Sequence, residues 1–92
     1  MTIVEAEDIV RTYFDERCHK NYGALIGAVV NILDAFEDAK KGRILIRCEA
    51  FCMAFSGDKK RYYRIAVNVK TKAIEGMQEV TEADKLIQEG PK

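Results

Sequence analysis

The fold is decided by residues 43–70, which read RILIRCEAFCMAFSGDKKRYYRIAVNVK. Residues 43–55 and residues 61–70 each alternate between two faces, as strands do. The stretch between them contains Ser56-Gly57-Asp58-Lys59, which is turn chemistry. The pattern therefore predicts an antiparallel hairpin. The face of the first strand expected to lie inward carries Ile44, Ile46, Cys48, Ala50, Cys52 and Ala54.

A helix is predicted ahead of this hairpin, over residues 3–20. Its apolar positions recur at helical spacing, and charged residues occupy the other side. Thr2 and Glu5 have the spacing of a capping box, and Asn21 and Gly23 are expected to end the helix. The apolar positions are Ile3, Ala6, Ile9, Val10, Tyr13, Phe14 and Cys18.

A third strand is predicted over residues 73–80, joined to the second by a two-residue turn at Thr71-Lys72. That register places Arg64 opposite Glu79 and Ala66 opposite Met77, on the face away from the helix. A longer loop, or a bulge near Gly76, is the alternative. Residues 82–88 are predicted to form a short C-terminal helix.

Residues 25–40 fit two structures. Leu25, Ala28, Val29, Ile32 and Phe36 fit one face of a second helix. The β-branched run at residues 29–32 also fits a first strand, with residues 37–42 as the loop of a hairpin. The pattern alone slightly favours the helix.

A family resemblance favours the strand. Residues 61–74 read RYYRIAVNVKTKAI and resemble the second half of PepSY-type (cystatin-like) domains, which have a tyrosine-led strand, a Val-Asp-x-x-Thr-Gly turn and a short last strand. Asn68 stands where that family has Asp, and Lys72 stands where it has Gly. The resemblance implies a strand over residues 28–36. It also implies an accessory binding role, in a family associated with restraint of peptidases, without catalytic residues. The expected fold class is α+β, an N-terminal helix on an antiparallel sheet of three or four strands.

Charge is sorted along the chain although its sum is zero. Residues 1–38 carry eight acidic and three basic side chains, residues 39–72 carry two and ten, and residues 73–92 carry five and two. Basic strands between acidic flanks predict either an anion-binding face or a sheet neutralised by its own neighbours. We expect the second, with Arg64 and Glu79 as one pair.

The three cysteines and the single histidine offer little chemistry at this stage. In a strand, Cys48 and Cys52 would be roughly 13 Å apart, too far to share a metal ion or a disulfide. Cys18 and His19 are adjacent on a helix and do not face each other. We therefore expect reduced, metal-free thiols in the core, and no cofactor.

The outer face of the predicted sheet is the candidate interaction surface. It mixes large apolar side chains, including Met53 and Met77, with arginines, and such a face usually marks a partner. The sequence thus predicts a non-enzymatic binding or accessory module that forms a homo-oligomer or binds another protein. The alternative is a module that binds nucleic acid or another anion. The predicted surface residues are Arg43, Leu45, Arg47, Phe51, Phe55, Tyr62 and Arg64.

Length and composition set the remaining limits. A chain of 92 residues with 48% hydrophobic residues is expected to fold as a single domain over residues 1–92. The N-terminus lacks a basic region followed by an apolar run, and the longest apolar run is too short to span a bilayer. These features predict a cytoplasmic protein without a membrane partner.

Overall fold

In the described residues, a long N-terminal α-helix is followed by a four-stranded meander. The computed structural model describes residues 1–54 and 59–81. The four strands of the sheet are neighbours in chain order, and every neighbouring pair is antiparallel. This confirms the predicted α+β class, with an N-terminal helix on an antiparallel sheet. The elements are α1 (Ile3–Tyr22), β1 (Ala28–Asp38), a 3-10 turn (Ala39–Lys41), β2 (Arg43–Cys52), β3 (Arg61–Asn68) and β4 (Ile74–Val80).

Helix α1 is fixed at both ends by local chemistry. The backbone N–H of Glu5 donates to Thr2 Oγ1 at 3.1 Å, and the backbone N–H of Thr2 donates to Glu5 Oε1 at 2.9 Å. The predicted capping box is therefore confirmed. At the other end, Gly23 has a φ of 118°, and its N–H donates to the carbonyl of His19 at 2.9 Å. The buried stripe of the helix has a four-residue spacing and consists of Ala6, Val10, Phe14 and Cys18.

Strand β1 resolves the ambiguity over residues 25–40 in favour of a strand. Its first residue is tied to the helix, because the N–H of Ala28 donates to Asp15 Oδ1 at 2.8 Å. A bulge lies at Leu33, between the paired residues Ile32 and Asp34. The chain then turns into β2 through the 3-10 turn and Gly42, whose φ of 62° suits a residue without a Cβ atom.

The core lies between α1 and the inner face of the sheet. Ile44, Ile46 and Cys48 of β2 are fully buried there, as the alternation along this strand predicts. The ring of Phe14 lies 5.0 Å from the ring of Tyr63 on β3 and joins the helix to the middle of the sheet. Burial of each large apolar side chain contributes about 1.5–3 kcal/mol, so this face supplies most of the stability.

The predicted register between β3 and β4 is wrong by one residue. Arg64 faces Gln78, not Glu79, and Met77 faces Ile65 on the inner side of the sheet. The cause is the turn. The Asn68 side chain accepts hydrogen bonds from the backbone N–H groups of Lys70 and Thr71. A bulge on β4 then shifts the pairing of β3 with β4. The alternative of a longer loop with a bulge near Gly76 is therefore the observed structure.

A disulfide joins Cys18, in the last turns of α1, to Cys52, the last residue of β2. The sulfur atoms are 2.06 Å apart, and the two residues are separated by 34 positions. The prediction that all three thiols are unbridged is therefore wrong. Both residues were expected on inward faces, but only the tertiary packing brings those faces together at one end. Cys48 keeps its thiol and is buried.

Some predictions fall outside the described residues. The predicted helix over residues 82–88, the turn at residues 56–58, and Phe55 of the candidate surface all lie there.

Candidate functional site

The predicted surface lies on the face of the sheet away from α1. Arg47 faces Arg64 across β2 and β3, and Leu45 faces Ala66 in the next row. Among the predicted residues that the structure describes, only Arg64 is exposed, and Arg47 is 1% exposed. Arg43, Leu45, Phe51 and Tyr62 are half-buried.

Acidic side chains of the edge strands meet the basic side chains of the central strands. Arg43 Nε donates to Asp38 Oδ2 at 3.3 Å across β1 and β2. On the other side of the sheet, Arg61 Nη1 lies 3.8 Å from Glu79 Oε1. Asp34 lies opposite the buried Arg47 in the register of β1 and β2. The basic middle of the sequence is thus interleaved with acids from its neighbours, although Glu79 pairs with Arg61 and not with the predicted Arg64.

Three exposed apolar side chains lie elsewhere, at the end of the molecule where the disulfide is. Leu25, in the loop between α1 and β1, is 98% exposed, Met53 after β2 is 63% exposed, and Tyr22 is 45% exposed. The N–H of Met53 donates to the carbonyl of Gly27 at 3.0 Å, so the loop and the end of β2 are adjacent. We call Tyr22, Leu25 and Met53 the end surface.

The sequence pattern did not reveal this surface. Leu25 fitted an apolar helix face, and it is instead the most exposed large apolar residue of the described chain. Met53 fitted the outer face of a longer strand, but β2 ends at Cys52. The one available signal was Gly23, which ends the helix two residues before Leu25 and leaves the following loop outside the sheet.

A pocket of about 130 Å³ opens beside the end surface. The last turns of α1 contribute Arg17, Asn21 and Tyr22, and β3 contributes Arg61 and Tyr63. Both cysteines of the disulfide also line it. The positive charge of Arg17 is close enough to the Tyr63 hydroxyl to affect its pKa. The volume is that of about four water molecules, which suits a small polar group.

Burial raises the pKa of two core groups, Tyr63 and Cys48. It raises the pKa of the Tyr63 phenol, and the positive charge of Arg17 opposes this rise. The phenol therefore keeps its proton at neutral pH. Burial also raises the pKa of the Cys48 thiol from 9.0 to about 12, with Arg11 as the opposing charge. A thiol held protonated and out of solvent is a poor nucleophile.

Nucleophilic and metal chemistry find little support in the described part of the chain. The sulfur of Cys18 is in the disulfide, so a Cys18–His19 nucleophile pair does not exist in this structure. Within residues 1–54 and 59–81, no group of three or more His, Cys, Asp or Glu side chains is placed to hold a metal ion. In the same residues, no helix has the length and apolar character needed to cross a membrane.

Comparison of the chain with protein-family models, curated proteins and solved structures finds no match.

Proposed function

We propose that this chain is a non-enzymatic binding module that contacts another protein through the end surface. The observation that carries the proposal is that Leu25 and Met53 are both largely exposed at the same end of the molecule, where the last turn of α1 also exposes Tyr22. Single exposed apolar residues are common, but adjacent ones bordering a pocket are typical of docking sites. Tyr, Met and Arg are also the side chains enriched at the energetic centres of protein interfaces.

The charges around the end surface indicate the chemistry of the partner. Arg17 and Lys20 lie on the last turns of α1, and Lys60 and Arg61 lie at the start of β3. The ammonium group of Lys60 is 5.9 Å from the Phe51 ring, which lines the pocket. Glu79 offsets one of these charges at the solvent-exposed pair with Arg61. A complementary partner would present apolar side chains next to an acidic group.

The disulfide supports a rigid site at this end. It ties the helix that carries Arg17 and Tyr22 to the strand that precedes Met53. A preorganised surface loses less conformational entropy on binding than a mobile one. The disulfide also favours an oxidising compartment. It therefore argues against the cytoplasmic location that the sequence predicts.

The resemblance to PepSY-type domains is compatible with a binding role. Lys72 has a φ of 58°, in the left-handed region that favours glycine, and it occupies the position where that family's turn has Gly. Asn68 accepts two backbone hydrogen bonds in the turn, as an Asp at this position would do. These two residues support a related turn, and a relationship to the family is part of the proposal.

Nucleic-acid binding through the sheet is less well supported than protein binding. Of the three arginines predicted to form a basic platform, Arg47 is buried and Arg43 is paired with Asp38. Of these three arginines, only Arg64 is exposed on the outer face. A stacking platform needs several accessible basic and aromatic groups along one groove.

Selection of random peptides displayed on phage tests the proposal without a known partner. The wild-type protein is the bait, and the double variant Leu25→Ser, Met53→Ser is the counter-selection. We expect enriched peptides that share apolar and acidic residues and bind the double variant at least about tenfold more weakly, a loss of about 1.4 kcal/mol. Val4→Ser is the matched control, because Val4 is 65% exposed on the first turn of α1 and lies outside the end surface.

Two outcomes would contradict the proposal. The first is enrichment of peptides that bind wild type and the double variant equally. The second is an equal loss with Val4→Ser, which would indicate general stickiness. The predicted homo-oligomer is measured alongside by sedimentation equilibrium, where a doubled mass that the double variant abolishes would identify a second copy as the occupant.

A further inference from the structure

We infer that the pocket beside the disulfide binds one oxyanion group, a carboxylate or a phosphate, carried by the ligand. This inference deepens the proposed function and rests on it for its biological meaning, because the pocket shares Tyr22 with the end surface. Its physical basis is separate and comes from the pocket lining.

The described lining is rich in hydrogen-bond donors and contains no acidic side chain. Two guanidinium groups, of Arg17 and Arg61, enter from opposite elements, the helix and the third strand. Asn21 adds an amide that can donate. Guanidinium groups match the planar geometry of a carboxylate and the oxygen spacing of a phosphate, and charge-assisted bonds of this kind are the strong ones.

Tyr63 supplies a neutral donor at the bottom of the site. It is 6% exposed and lines the pocket together with Arg17. When the oxygen accepts from Arg17, the hydroxyl proton is free to donate to a ligand. The raised pKa of this phenol keeps that proton in place at neutral pH.

The existing ion pair of Arg61 does not close the site. Its contact with Glu79 is 3.8 Å long, and both side chains are about half exposed. Exposed pairs of this kind contribute about 0–1 kcal/mol, so an incoming anion competes with a weak interaction. Lys20 lies on the helix and Lys60 directly precedes the third strand, and both add positive charge nearby.

The geometry of the pocket depends on long-range structure. Arg17 precedes Cys18 in α1, and Arg61 lies opposite Ala50, two residues before Cys52. The Cys18–Cys52 bond therefore fixes the separation of the two arginines through one short path. A pocket held in this way presents its donors without reorganisation when the ligand arrives.

Titration of the isotope-labelled, disulfide-bonded protein with sodium acetate and with inorganic phosphate tests the inference by NMR. Sodium chloride at the same ionic strength is the blank. We expect saturable shifts at Arg17, Asn21 and Tyr63, with an affinity on the order of millimolar for ligands this small. The tighter of the two anions identifies the group, carboxylate or phosphate.

Arg17→Gln and Arg61→Gln are each expected to weaken this binding by about tenfold or more. Arg64→Gln is the matched control, because Arg64 is an exposed arginine on the same strand that faces away from the pocket. Linear shifts like those in chloride, or equal weakening by Arg64→Gln, would overturn the inference. If the anion titration fails in either of these ways, peptide binding that still depends on Leu25 and Met53 would show that the end surface stands while the pocket assignment fails.

Discussion

Removal of the Cys18–Cys52 disulfide is expected to cost a large share of the stability. The bond closes a loop of 34 residues, and the chain-entropy relation gives about 4 kcal/mol for a loop of this length. A domain of 92 residues has a total free energy of unfolding of roughly 5–14 kcal/mol. The disulfide therefore supplies about a third of the stability or more.

Urea unfolding followed by circular dichroism measures this contribution. The comparison is between the wild type and the double variant Cys18→Ser, Cys52→Ser, with Cys48→Ala as a control that keeps the disulfide. We expect the double variant to lose about 4 kcal/mol, which for a domain of this size lowers Tm by roughly 15–30 °C. A loss in the free energy of unfolding of no more than about 0.5 kcal/mol, the range of ordinary surface substitutions, would show that the disulfide does not supply this share of the stability. So would thiol titration of the denatured wild type that finds all three cysteines reactive.

Three further predictions concern single positions. Burial raises the pKa of Cys48 from 9.0 to about 12, so the unfolded chain loses this proton first as pH rises. The free energy of unfolding should therefore fall by about 1.4 kcal/mol per pH unit above pH 9. Urea unfolding of Cys48→Ala should show a flatter pH dependence. Thr2→Ala removes the acceptor for the Glu5 N–H and should cost about 0.5–2 kcal/mol in thermal unfolding. Lys72→Gly relieves a left-handed backbone conformation and should raise stability by up to about 1 kcal/mol, whereas a loss in urea unfolding would show that the Lys72 side chain has a structural role.

The parts of the fold that depend on local contacts were predictable from the sequence. The capping box joins residues three positions apart, and the alternation of β2 reports directly which side chains face the helix. The pattern of residues 25–40 left a helix and a strand both open, and Asp15 fixes the start of β1 from outside the segment. A contact across 13 residues is beyond the reach of a periodicity argument.

The register of β4 and the disulfide depend on details that a pattern does not contain. The side chain of Asn68 organises a longer turn than the expected two residues, and the resulting shift moves Met77 from the outer to the inner face. Cys18 and Cys52 were both expected to face inward, but their separation depends on where the helix crosses the sheet. The pocket is a consequence of that crossing, so its arginines could not be grouped in advance.

The end surface is tested most directly by mapping one selected peptide on the isotope-labelled, disulfide-bonded protein. We expect chemical-shift changes that concentrate at Tyr22, Leu25 and Met53, extend to Arg17 and Arg61, and disappear in the variant Leu25→Ser, Met53→Ser. Changes centred on the outer sheet face, around Leu45 and Arg64, and unaffected by that double variant would contradict binding at the end surface.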